Sequence, residues 1–133
     1  MNEIFADTFY FLALLSPSDE ASQRARTITA EQRSTLVTTA WVLTELANAL
    51  CKREARVGFL DTLRALRSDP TATIVAPEQR WFDAGLELYA ARPDKDWSLT
   101  DCISFVVMRD RGIADALTGD RHFEQAGFRA LLK

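Results

Sequence analysis

Histidine occurs once and cysteine twice in the 133 residues, and these scarcities exclude whole classes of site. One histidine and two widely separated cysteines cannot build a zinc site of the Cys/His type or a disulfide framework. Cys51 and Cys102 each fall in a helical, mostly apolar stretch, so both are expected to be buried reduced thiols. No Gly-x-Gly-x-x-Gly follows a strand-like segment and no Walker A lysine loop is present, which leaves a dinucleotide or triphosphate cradle unsupported. Positive charge is also short, with 16 Lys and Arg against 19 Asp and Glu and a net charge of −3. A protein holding nucleic acid through overall charge is thereby disfavoured. Nucleic acid as a substrate is not, because bound metal can neutralise part of the acid. Repeats, low-complexity segments and linkers are missing as well, so residues 1–133 are expected to form one domain.

The most apolar stretch, Ile4 to Leu15, is too short to span a bilayer. It also lacks the basic flank of a signal peptide, since Glu3 precedes it and the first basic residue is Arg24. A cytoplasmic protein without a membrane partner is expected.

What is present is an alternation of strand and helix patterns. Strands are expected at Asn2–Asp7, Thr35–Thr39, Thr71–Ala76, Ile113–Leu117 and in Phe128–Leu132. Between them the pattern predicts a helix over Thr8–Leu15, a break at Ser16-Pro17, and a second helix to about Arg33. A long helix is expected from Ala40 to Arg56, and another over Gly58–Arg67. Pro77 fits the first position of a helix reaching Ala91. Ser98 opens a helix that ends near Gly112, and a short helix covers His122–Gln125. Such alternation predicts an α/β fold, a doubly wound parallel five-stranded sheet flanked by helices, and the order taken for it is 3-2-1-4-5. Ligands of such sheets bind beyond the carboxyl ends of the strands, where the strand order reverses.

Four acids fall near those ends. Asp7 ends the first strand inside "IFADTFYFLALL", where an unpartnered carboxylate costs several kcal/mol if buried; a helix N-cap is the structural alternative. Glu45 opens a polar stripe with Asn48, Lys52 and Arg56 along the expected long helix, either a solvated face or a surface along which a polyanion lies. Asp101 in "WSLTD" matches a capping box with Ser98. Asp120 in "ALTGD" follows the fourth strand, where Gly-Asp is also an ordinary turn signal. Asp96 and Asp115 compete less well, one in a polar loop and one inside a strand. Carboxylates about 4 Å apart repel by about 4 kcal/mol per pair at an effective dielectric near 20. All-oxygen ligands select Mg²⁺ or Mn²⁺ to offset that repulsion. A haloacid-dehalogenase-type phosphatase would need Asp-x-Asp after the first strand, where this chain reads Asp7-Thr8-Phe9. A receiver domain would need paired acids there and a lysine after its last strand.

These segments together, with "TELANAL", "WSLTDCISF" and "ALTGDRHFEQAGF" following the early Asp7, resemble the PIN domains, in particular the VapC-type toxins of toxin–antitoxin pairs. The resemblance implies an Mg²⁺- or Mn²⁺-dependent endoribonuclease, working as a homodimer and inhibited by a cognate antitoxin. It makes Asp7, Glu45, Asp101 and Asp120 the metal-binding acids and Thr118 the hydroxyl often found at the family's site. Gly119 departs from the family, in which that position is often larger. Lys52, Arg56 and Arg121 are candidates for guiding RNA, or ordinary surface residues. His122 either packs and caps near the short helix or touches a phosphate. Two readings stay open beside the toxin: a housekeeping PIN nuclease on other RNA or DNA, and a PIN-fold binding module without turnover.

Overall fold

The computed structural model describes residues 2–16, 20–31 and 33–133. Its sheet is built from β1 (Glu3–Ala6), β2 (Thr35–Thr39), β3 (Ala72–Val75), β4 (Asp115–Leu117) and β5 (Arg129–Ala130). All pairings are parallel, in the order β3-β2-β1-β4-β5, the architecture expected from the sequence. The chain steps outward from β1 to β2 to β3, then returns to the other side of β1 with β4. The carboxyl ends of β1 and β4 therefore flank the reversal.

Seven helices connect these strands among the described residues: α1 (Thr8–Leu15), α2 (Glu20–Glu31), α3 (Ala40–Ala49), α4 (Arg53–Ser68), α5 (Gln79–Ala91), α6 (Leu99–Arg111) and α7 (Arg121–Gln125). Both faces of the sheet are covered, so its middle is buried: Phe5, Ala6, Val37 and Ala116 are fully enclosed, together with Thr38 and Thr39. Phe105 of α6 stacks edge-on against Trp97 and Phe123, with ring centroids 5.0 and 4.9 Å apart. These contacts fix α6 and α7 to one another and to β1, where Phe5 approaches Phe123.

Several boundaries differ from expectation. The long helix over Ala40–Arg56 is two helices, with α3 ending at Leu50 and α4 starting after Lys52 in extended backbone. The apolar rhythm explains the break: Leu43, Leu46 and Leu50 face the core, and the next inward residues are Phe59, Leu63 and Leu66. One straight helix cannot present both sets to the core, and Arg56 Nε takes up the freed Cys51 carbonyl at 2.8 Å. Gly58 lies inside α4 rather than opening it. Pro77 precedes α5, whose N-cap is Glu78. The expected Ser16-Pro17 break is met on one side, with Ser16 as the C-cap of α1; Pro17 to Asp19 and Gln32 lie outside the described residues. Cys102 is buried as expected, whereas Cys51 is exposed because the α3–α4 break turns it outward.

No helix among the described residues is long and apolar enough to cross a membrane.

Candidate metal-dependent active site

Asp7 follows the last residue of β1 and occupies the N-cap position of α1, yet its side chain makes no capping hydrogen bond. The capping alternative for Asp7 thus fails. Asp7 is 5% exposed, and its Oδ2 accepts a hydrogen bond from the Thr118 hydroxyl at 2.9 Å. Burial pushes its pKa up to about 7 from 3.8 against the lowering effect of Thr118, and the nearby charges of Asp101 and Glu45 add to the rise.

Asp101 stands in the first turn of α6, placed there by a complete capping box: its amide donates to Ser98 Oγ at 3.0 Å, and its Oδ2 accepts from the Ser98 amide at 3.2 Å. Capping and site membership coincide in this residue. Gly112, with φ 69°, closes the helix at its other end, and the Ile113 amide reaches back to the Met108 carbonyl. Burial raises the Asp101 pKa, partly offset by the Ser98 amide and His122.

Asp120 caps α7 by accepting the His122 amide at 2.9 Å. His122 then turns its ring back into the site, with Nδ1 3.1 Å from Asp101 Oδ2 and 3.5 Å from Asp120 Oδ1. Ligand atoms of Asp101, Asp120 and His122 all lie within 4.8 Å of one another. The Trp97 indole donates to Gln125 at 3.0 Å, which ties the start of α6 to α7 and holds Asp101 opposite Asp120. Glu45, on α3, accepts a short hydrogen bond from the Thr8 hydroxyl, and so is drawn to the first turn of α1.

The four sequence-nominated acids and His122 line one cleft of about 360 Å³ at the strand-order reversal, together with Phe9. Asp96 lines the cleft as well, while Asp115 is outside it, held by a two-pronged contact with Arg129 at 2.8 and 2.9 Å. Among the described residues no lysine or arginine is ion-paired with Asp7, Glu45, Asp101 or Asp120. A buried carboxylate facing two others, with only the neutral donors Thr118 and the Thr8 amide beside it, calls for a cation. Hard oxygen donors of this number fit Mg²⁺ or Mn²⁺.

The remaining nominees separate. Thr118 is fully buried, and its hydroxyl is engaged by Asp7 and by the Asp120 amide. It supports the acids from behind. Arg121 is exposed at the start of α7, beside Asp120. Lys52 and Arg56 are exposed but belong to α4 and its N-cap. The stripe joining them to Glu45 on one helix does not exist, because the helix breaks after Leu50. Sequence reasoning passed over Thr8 and Phe9; the signal available for Thr8 was its position directly after Asp7, in the first turn of a helix.

The PIN domain family model matches residues 4–129. Over 129 residues the chain is 30% identical to the 23S rRNA-specific endonuclease VapC20 of Mycobacterium tuberculosis strain CDC 1551 / Oshkosh, covering 94% of this chain and 95% of that protein. The same figures hold for VapC20 of strain ATCC 25618 / H37Rv. The crystal structure of M. tuberculosis VapC20, a Sarcin-Ricin loop cleaving toxin, superposes with a TM-score of 0.85 at 26% identity, covering 94% of this chain and 95% of the other.

Proposed function

Because the chain belongs to the PIN-domain family, we propose that it is a metal-dependent endoribonuclease, the toxin of a toxin–antitoxin pair acting in the cytoplasm on ribosomal RNA. The observation that carries this reading is the cleft in which Asp7, Glu45, Asp101 and Asp120 converge with no lysine or arginine ion-paired to them among the described residues. VapC20, similar along nearly its whole length, cleaves 23S rRNA, and this supports the same substrate class here. Residues 1–133 are read as one such domain, working as a homodimer and held in check by an antitoxin protein.

Asp7, Glu45, Asp101 and Asp120 would hold Mg²⁺ or Mn²⁺. When bound, the ion supplies the charge that makes water acidic enough to attack phosphorus near neutral pH and that offsets the charge gathering on the phosphate. The chain's own residues do the rest. Thr118 and Thr8 fix the orientation of Asp7 and Glu45. His122 holds Asp101 and Asp120 toward each other, as outer hydrogen bonds commonly orient ligand carboxylates. Glu45 or Asp101, whichever keeps a free oxygen, takes the proton from the attacking water. Arg121 offers a phosphate contact beside Asp120, with Lys52 and Arg56 as weaker, more distant attractors.

Calorimetric titration with MgCl₂ and MnCl₂ tests the ion-binding half, using the wild type and Asp101→Asn. Saturable binding that the variant weakens at least tenfold is expected; wild-type heats indistinguishable from dilution would refute it. Incubation of intact ribosomal RNA with the protein tests the other half. A discrete cut is expected, and general degradation or no cut would refute the assignment.

A further inference from the structure

Gly119, between Thr118 and Asp120, is not required by its backbone, since the only glycines with positive φ are Gly112 and Gly127. The three atoms nearest a Cβ at Gly119 all belong to the Phe9 ring, Cζ at 2.5 Å, Cε1 at 2.9 Å and Cε2 at 3.1 Å. Glycine is there to admit the ring. The ring packs against the core without being enclosed by it: Tyr10 and Phe11, beside it on α1, are 3% and 2% exposed, whereas Phe9 is only partly buried and lines the acid cleft. Leu12, one turn further along the same helix, is 36% exposed and lines it too.

An apolar ring beside carboxylates contributes nothing to holding a cation or a phosphate. What it can take is a flat aromatic surface, and a nucleobase is tethered by its ribose to the phosphate that the acids would address. Resting on the nuclease reading above, we infer that Phe9 is the stacking platform for the base adjoining the cleaved phosphate, with Gly119 as its seat. A base in a duplex has both faces covered, so this platform selects RNA whose base is already unstacked, in a loop or a single strand. Stacking tolerates every base; the device therefore reads strand state rather than base identity.

The test is rapid mixing in Mg²⁺ with a sarcin–ricin stem–loop RNA carrying 2-aminopurine at each loop position in turn, following fluorescence and cleavage together. Wild type should quench at one position and then cut. Phe9→Leu should lose the quench and about tenfold in kcat/KM, mainly through KM, while Phe9→Trp keeps both. A second arm does not depend on how the variants fold: an abasic residue at the quenched position should cost the wild type the same roughly tenfold. Cleavage without a quench at any position, or indifference to the abasic residue at all of them, overturns the inference and leaves the nuclease reading intact. A quench without cleavage contradicts the nuclease reading and supports the platform. A protein that neither quenches nor cuts overturns both.

Discussion

The Thr118 hydroxyl joins two strand ends through two hydrogen bonds: it donates to Asp7 Oδ2 at 2.9 Å and accepts from the Asp120 amide at 3.0 Å. One fully buried side chain thus sets the relative position of the acid after β1 and the acid after β4. The pairing of Ala6 with Leu117 in the sheet brings those ends together, and Thr118 fixes the last side-chain torsion.

Thr118→Val removes both bonds at nearly constant volume. With the amide left unpaired, a loss on the order of 1–2 kcal/mol is expected in denaturant unfolding. The stronger signature is in the pH profile. Without its hydrogen-bond donor the Asp7 carboxyl is harder to ionise, so the activity profile should move to higher pH. Thr118→Ser should restore it.

Asp7 makes the protein without metal a worse-folded one as pH rises. Its folded pKa, about 7, lies above the ordinary 3.8, so between these values the folded state binds more protons than the unfolded chain. Stability from this group is therefore full below about pH 4, falls as pH rises to about 7, and is flat beyond. Burial of Asp101 acts in the same direction. Asp7→Asn should stabilise the metal-free protein at pH 8 by roughly 2–4 kcal/mol, seen as a higher Tm in EDTA, while removing the further rise that Mg²⁺ gives the wild type. A lower Tm for the variant in EDTA would contradict this reading.

His122→Ala leaves Asp101 and Asp120 without the ring that lies 3.1 and 3.5 Å from their oxygens. A loss of about 10–100-fold in metal affinity or kcat is expected, with α7 still anchored by the buried Phe123. Titration calorimetry with Mn²⁺ and initial cleavage rates would measure the two separately.

Gly119→Ala places a methyl against the Phe9 ring, where the nearest approach is 2.5 Å. Overpacking of this kind typically costs about 1–3 kcal/mol. Since the three atoms nearest a Cβ there all belong to that ring, the double variant with Phe9→Ala should recover most of that loss. Additive losses in the cycle would show that the ring is not what forbids a larger residue.

The alternation of strands with helices, and the placing of four acids near the strand ends, were legible in the sequence because both rest on short-range signals. β-branched runs such as "TLVTT" mark strands, and turn or capping residues place acids at their ends. The α3–α4 break was not legible, since no glycine or proline marks Leu50 to Lys52; what decides it is how two apolar faces reach one core. The exposure of Cys51 and the loss of the Glu45–Lys52–Arg56 stripe follow from that same break. His122 was ambiguous for another reason. Its ring direction depends on α6 lying opposite α7, a long-range contact set by Trp97, Phe105 and Phe123.

The most direct measurement is cleavage of a mixed pool of structured and single-stranded RNA by the purified protein, comparing wild type with Asp7→Asn in Mg²⁺, Mn²⁺ and EDTA. Cutting at defined sites that requires the ion and vanishes in the variant is the result expected of four carboxylates holding a catalytic cation. Cutting that persists in EDTA or in Asp7→Asn, or a wild type that binds the ion and cuts nothing in the pool, would contradict it.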